Sequence, residues 1–234
     1  MKTIVIGDIH GRTCWKEIIY KEDSFNKLIF IGDYLDTHEN ISGQKQLNNF
    51  KDILKFKEDN FDKVILLMGN HDFHYLDVAQ EQYSGFQSGM QWVFKDTLDE
   101  ALKKDLLQMC YVQDKLLFTH AGVSNTWIKS TTNSGTGILD IDGHINEVFK
   151  YQPKHFRFNG INPYGDDITQ SPIWIRPQSL FEDGLKKFIH IVGHTTQNSI
   201  NPPKGDSNMW FIDTLGTSGE YLVIENNEIN IRKL

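Results

Sequence analysis

Residues 1–12 read MKTIVIGDIHGR, an apolar run that ends at Gly7 and gives way to Asp8, His10 and Gly11, with Ile9 between the first two. Asp, His and Gly are poor strand formers, so a strand built from this run ends there. A carboxylate and an imidazole two residues apart at one strand end can be an ordinary turn. The same ending recurs in KLIFIGDYLD (27–36), KVILLMGNHD (63–72), KLLFTHAGVS (115–124) and KFIHIVGHTT (187–196). Each begins with Lys, runs through apolar residues and closes on small and metal-competent ones.

Continuous runs of about five Ile, Val, Leu and Phe residues suit strands buried on both faces, as in a sheet covered by helices. Between the first runs lie stretches of helical spacing. Residues 42–59 place Leu47, Phe50, Ile53 and Leu54 on one face, and 89–109 do the same with Trp92, Val93, Leu98, Leu102 and Leu106. The alternation predicts an α/β fold of βαβ units, whose ligands gather beyond the carboxyl ends of the strands, so the five endings belong on one rim. Near the C-terminus, MWFIDTLGTSGEYLVIENNEINIRKL (209–234) reads as three strands joined by a Gly-rich and an Asn-Asn turn, predicting an antiparallel meander that closes a second sheet. From about 125 to 170, Gly, Asn, Asp and Pro interrupt any pattern. This stretch is expected to connect over the rim and shape substrate access.

The 234 residues contain no Pro-, Ser- or Gly-rich linker, so residues 1–234 are expected to form one domain. Hydrophobic residues at 39% and charged ones at 24% match a globular core. A net charge of -7 argues against stable nucleic-acid binding through phosphates. No charged leader with a long apolar segment opens the chain, and no apolar run reaches the roughly 18 residues that span a bilayer, so a soluble, cytoplasmic protein without a membrane partner is expected. Cys14 and Cys110 fit a reducing compartment and are not spaced as a metal pair.

The rim gathers Asp8, His10, Asp33, Asn70, His71, His120 and His194. Carboxylate, amide and imidazole without thiolate describe a site for Mn²⁺, Fe or Zn²⁺ more than for Ca²⁺, with Mn²⁺ as the leading expectation. Seven candidate ligands exceed what one ion needs, so two divalent ions are expected. Two such ions, roughly 3.5–4 Å apart, can share a carboxylate and a water, lower that water's pKa and grip phosphoryl oxygens during in-line attack.

GDIHG, GDYLD, GNHD, HAGV and VGHT, in this order, resemble the motifs of the calcineurin-like metallophosphoesterases. More narrowly they resemble the phosphoprotein phosphatase (Ser/Thr phosphatase) branch, with its bacterial and viral members and the related diadenosine tetraphosphatases. The resemblance implies two central β-sheets flanked by helices. It also implies attack on a phosphomonoester by hydroxide held at a dinuclear centre. By the family's pattern Asp8 and His10 bind the first ion, Asp33 bridges, and Asn70, His120 and His194 bind the second. His71 becomes the general acid, with Asp36 orienting it.

Two departures from that pattern bear on the substrate. Thr37 and Met68 stand where the protein phosphatases carry phosphate-gripping Arg residues, and the chain has only Arg12, Arg157, Arg176 and Arg232. Arg176, in SPIWIRP, resembles the phosphate-contacting Arg of bacterial members, and Arg12 directly follows the first motif, so these two are the expected phosphate ligands. The expected substrate is a phosphorylated protein or small phosphate. The alternative on the same fold is a dinucleoside polyphosphate or nucleotide, stacked on Trp127, Phe156, Phe158, Tyr164 or Trp174. A non-catalytic scaffold is a third reading, disfavoured by the complete ligand set.

Overall fold

The apolar runs become strands in the computed structural model, which describes residues 1–132, 139–162 and 164–234. In chain order the strands are β1 (Lys2–Ile6), β2 (Lys27–Phe30), β3 (Val64–Leu67), β4 (Leu107–Gln108), β5 (Cys110–Gln113), β6 (Leu116–Thr119), β7 (Ile189–Val192), β8 (Met209–Phe211), β9 (Glu220–Glu225) and β10 (Glu228–Lys233). The helices are α1 (Trp15–Glu22), α2 (Gly43–Asp59), α3 (Asn70–Phe73), α4 (Gln91–Lys103), α5 (Asn125–Ser130), α6 (Ile141–Tyr151) and α7 (Pro177–Asp183). Among the described residues one sheet has six strands in the order β10-β9-β1-β2-β3-β4, and the other has four in the order β5-β6-β7-β8.

The absence of polar alternation in the runs has a direct structural reason. In β1, Ile4 and Ile6 face Trp15 and Ile18 of α1, while Val5 faces the second sheet; in β2, Leu28 and Phe30 face outward and Ile29 inward. β3 divides the same way, with Val64 and Leu66 toward α2 and α4, and Ile65 and Leu67 between the sheets. Val5, Ile29, Ile65, Leu67, Leu222 and Ile224 of one sheet meet Phe118, Ile191 and Trp210 of the other in an apolar layer. The mixed α/β architecture of two sheets flanked by helices is therefore the expected one.

Helix α2 matches its expected span, with Ser42 accepting a hydrogen bond from the Lys45 amide at its start. Helix α4 is shorter than 89–109. Trp92 lies in its first turn and is 72% exposed, whereas Phe94, Thr97, Leu98 and Ala101 form the buried face. Leu106 is buried beyond the helix end.

The C-terminal meander is corrected. β8 pairs parallel with β7 in the second sheet, but β9 crosses to pair antiparallel with β1, and β10 follows β9 at the edge of the first sheet. The strand pattern of 209–234 was legible, but it carried no information on partner. The stretch 125–170 also holds more regular structure than its composition suggested, namely α5, α6 and a short 3-10 turn at Pro153–Phe156. Residues 133–138 and 163 of that stretch lie outside the described residues. Among the described residues no helix is long and apolar enough to cross a membrane.

Candidate metal centre

β1, β2 and β3 run parallel, as do β6, β7 and β8, and the carboxyl ends of both sets open on the same side. Asp8 and His10 follow β1, Asp33 and Asp36 follow β2, and Asn70 and His71 open α3 just after β3. His120 follows β6, and His194 follows β7. The strand β1 ends at Ile6, so a turn presents Asp8 and His10. His10, Asp33, Asp36 and His194 all have positive φ, between 44° and 62°. Non-Gly residues in this region cost of order 1–3 kcal/mol each and cluster where a site needs them. Asp and His tolerate it better than apolar residues do.

The three imidazoles share one device. His10 Nδ1 lies 2.7 Å from the Asp36 carbonyl, His120 Nδ1 3.0 Å from that of Ile31, and His194 Nε2 3.2 Å from that of Trp174. A carbonyl only accepts, so each of these nitrogens carries the proton, and in the neutral ring the opposite nitrogen offers a lone pair. Those lone pairs converge. His10 Nε2 lies 3.7 Å and His120 Nε2 3.4 Å from Asp33 Oδ2, while His120 Nε2 and His194 Nδ1 each lie 2.9 Å from Asn70 Oδ1. Acceptors meeting acceptors at these distances want a cation between them.

The carboxylates give the same reading. Asp8, Asp33 and His120 each offer an atom within 4.8 Å of the others, all three are buried, and Asp8 Oδ1 has no hydrogen-bond partner. Burial, and then the charges of Asp213 and Asp33, push the Asp8 carboxyl well above its ordinary range. Burial also resists ionisation of Asp33, but His120 and His71 outweigh it and hold that carboxyl well below. His120 is pulled down by burial yet raised to about 9 by Asp33 and Asp8. Protons thus stand in for positive charge that the site requires, and the donor set fits a divalent metal.

Gly193 shows how tightly Asp8 is held. A Cβ there would lie 1.8 Å from Asp8 Oδ1, whose partner oxygen accepts from the His194 amide at 2.9 Å. Gly193→Ala should displace Asp8 and lower metal affinity by at least about 10-fold, the scale of losing a supporting contact. Titration of Mn²⁺ into metal-stripped protein, with far-UV circular dichroism to confirm the fold, checks this; unchanged affinity would mean that Asp8 does not need this seat.

His71 lies at the edge of the cluster, its ring 5.4 Å from that of His10 and its Nδ1 3.3 Å from Asp36 Oδ2. Burial opposes its charge, but Asp33 and Asp36 prevail and raise its pKa. A cleft of about 210 Å³ leads to it, lined by His10, Arg12, Asp33, Asp36, His71 and His194 among others. Arg12 reaches the Asp8 carbonyl at 3.3 Å and pairs with Glu39 at 2.6 Å. Arg176 does not line this cleft. It packs beside it, donating to the His194 carbonyl and to Thr195 Oγ1, both at 3.1 Å.

Of the five aromatic residues considered for base stacking, none lines the cleft. Trp127, Phe156 and Trp174 are buried in the core, Phe158 packs on Trp174, and Tyr164 is 82% exposed. Sequence reasoning gave little weight to Asp72, which is wholly buried. Its two oxygens accept from the amides of Tyr34, Leu35 and Gly69, tying the loop after β2 to that after β3. His38 lines the cleft, whereas His190 is buried in the core with Nε2 at the Leu185 carbonyl.

The family model for calcineurin-like phosphoesterases matches residues 1–216, which include every residue named above except Thr217 onward. The chain belongs to the calcineurin-like phosphoesterases. As a member of that family it is a metal-dependent phosphoric ester hydrolase, and the scaffold reading falls away. Among solved structures it is similar to one described as a cold-active protein tyrosine phosphatase (TM-score 0.63, 18% identity, covering 98% of this chain and 75% of that one). It is also similar to Yfce, a phosphoesterase from E. coli (TM-score 0.44, 13% identity, 100% and 93% covered). A metallophosphoesterase from Sphaerobacter thermophilus gives a TM-score of 0.42 at 8% identity, with 100% and 88% covered. No curated protein sequence matches the chain.

Proposed function

We propose that this phosphoesterase hydrolyses phosphomonoesters, and that the small cleft ending at the His71–Asp36 pair is the observation that carries the reading. Asp8, His10 and Asp33 would hold one ion, and Asn70, His120 and His194, with Asp33 shared, a second. When bound, the ions supply Lewis-acid grip on phosphoryl oxygens and an acidified water.

The protein's own groups do the rest. As the water oxygen bonds to phosphorus and the ester P–O bond breaks, the electron pair stays on the leaving oxygen. That oxygen takes the proton from His71 Nε2, because Nδ1 faces Asp36. The water's proton passes to solvent, and solvent reprotonates His71. Arg12, on the cleft wall, holds phosphate oxygens, and Arg176 adds positive charge from behind His194. This division replaces the guanidiniums absent at Thr37 and Met68.

A cleft of about 210 Å³ without Phe, Tyr or Trp in its lining suits a phosphorylated side chain better than two nucleosides. The motifs resemble those of the Ser/Thr phosphatases, and one structural neighbour is described as a tyrosine phosphatase, so phosphopeptides of all three residues belong in the test. Metal-stripped protein, with Mn²⁺ restored, should release phosphate from a phosphopeptide at least about 10-fold faster than it cleaves diadenosine tetraphosphate at equal concentration, a difference of about 1.4 kcal/mol in transition-state binding. Faster cleavage of the dinucleotide would overturn the assignment.

A further inference from the structure

The helix end after His71 and the loop at 83–87 converge on Asp36. Asp36 is 1% exposed and is met by four side chains. Its Oδ1 accepts from Tyr75 Oη at 2.6 Å and from Gln87 Nε2 at 3.1 Å; its Oδ2 faces His71 Nδ1 at 3.3 Å and His74 Nε2 at 2.7 Å. The His74 contact is close but is not aligned as a hydrogen bond.

The protons on these groups are fixed by what lies behind them. The Gln87 amide donates to Tyr75 Oη at 3.0 Å, which leaves the hydroxyl proton for Asp36. The Tyr83 amide donates to His74 Nδ1 at 3.2 Å, so the proton of neutral His74 sits on Nε2, toward Asp36. Rings hold both partners in place: Tyr83 stacks on His74 at 5.4 Å and 9°, and Phe86 on Tyr75 at 4.8 Å and 19°. Between them Gly85, at φ 91°, brings the backbone so near that a Cβ would lie 3.2 Å from that of Asp36.

We infer that Tyr75, His74 and Gln87 are positioning residues that clamp Asp36 so that it holds His71 in the orientation for delivering a proton to the leaving oxygen. The inference rests on His71 being that acid. Any buried carboxylate needs donors, so the discriminating property is whether the clamp acts through His71. A general acid matters most when the leaving group is poor, because a good one departs without the proton.

The test compares 4-nitrophenyl phosphate with β-glycerophosphate as substrates for Tyr75→Phe, for Gln87→Ala as a second and more exposed site, and for His71→Asn. For Tyr75→Phe and Gln87→Ala, kcat on β-glycerophosphate should fall about 10-fold while that on 4-nitrophenyl phosphate stays within about 3-fold and KM is unchanged, a fraction of the full general-acid contribution. In a His71→Asn background the same changes should cost nothing further, since residues acting through one group are not additive. Bound metal per chain, measured on each variant, should equal that of the starting protein.

Equal losses on both substrates, an undiminished loss in the His71→Asn background, or loss of metal would overturn the clamp. If His71→Asn itself shows no greater loss on β-glycerophosphate, the acid assignment fails first and the clamp has nothing to position. If His71→Asn shows that selectivity and neither clamp variant does, the clamp alone falls.

Discussion

His71→Asn is expected to lower kcat by about 10²–10⁴-fold, the usual contribution of a positioned general acid, while both ions stay bound. The separation of the two effects follows from the geometry. The His71 side chain faces Asp36 and not the converging lone pairs, and its backbone amide, which donates to Asp33 Oδ1 at 2.9 Å, survives the substitution. Asn keeps a polar group of similar reach but cannot deliver a proton at neutral pH. Phosphate release and metal content measured on the same preparation decide the matter. Metal content falling in step with activity would make His71 part of the ion site and leave the leaving oxygen without its donor.

The second large effect concerns Asp33. Its Oδ2 faces both His10 and His120, at 3.7 and 3.4 Å, and so lies between the two sets of candidate ligands. Asp33→Asn preserves shape and removes one negative charge from a buried site. Occupancy should fall at both positions together, each with an affinity loss of at least about 10–100-fold, the range already seen when only a supporting group is removed. Elemental analysis after equilibration with limiting Mn²⁺ provides the readout. Full retention of two ions would mean that Asp33 bridges nothing, and loss of one would assign it to a single ion.

Much of the scaffold was legible because both faces of its strands are buried. Ile4, Val5 and Ile6 cannot alternate with polar residues when α1 covers one side and the second sheet the other. Each strand ends within a residue of its apolar run, so the motifs following Ile6, Ile31, Met68, Thr119 and Val192 arrive on one rim through the parallel pairing alone. Partner choice was not legible. The sequence of β9 suits a strand beside β8 as well as one beside β1, and the long-range pairing of Thr3 with Ile224 has no local signature.

The roof over Asp36 was hidden for a related reason. Tyr75 and Gln87 carry no motif, and they meet one carboxylate only because the loop at 83–87 folds back over α3. Trp92 illustrates the opposite error. A large apolar residue in a helical stretch was given to the core, but Phe94, Thr97, Leu98 and Ala101 form the buried face and Trp92 lies on the other side of the helix. Arg12 lines the cleft and Arg176 lies beside it, since chain distance from a motif does not say which side of His194 a guanidinium occupies.

The placement of the candidate ligand residues has a thermodynamic consequence. Asp8, Asp33 and Asn70 come from the six-stranded sheet, and His120 and His194 from the four-stranded one. An ion held by Asp33 and Asn70 together with His120 and His194 would cross-link the two sheets, as the hydrogen bond between His194 and Asp8, 186 positions apart, already does. The unfolded chain offers no such site, so each bound ion adds its binding free energy to the cohesion of the fold. Chelation would then loosen the seam between the sheets as well as silence the chemistry at their edge.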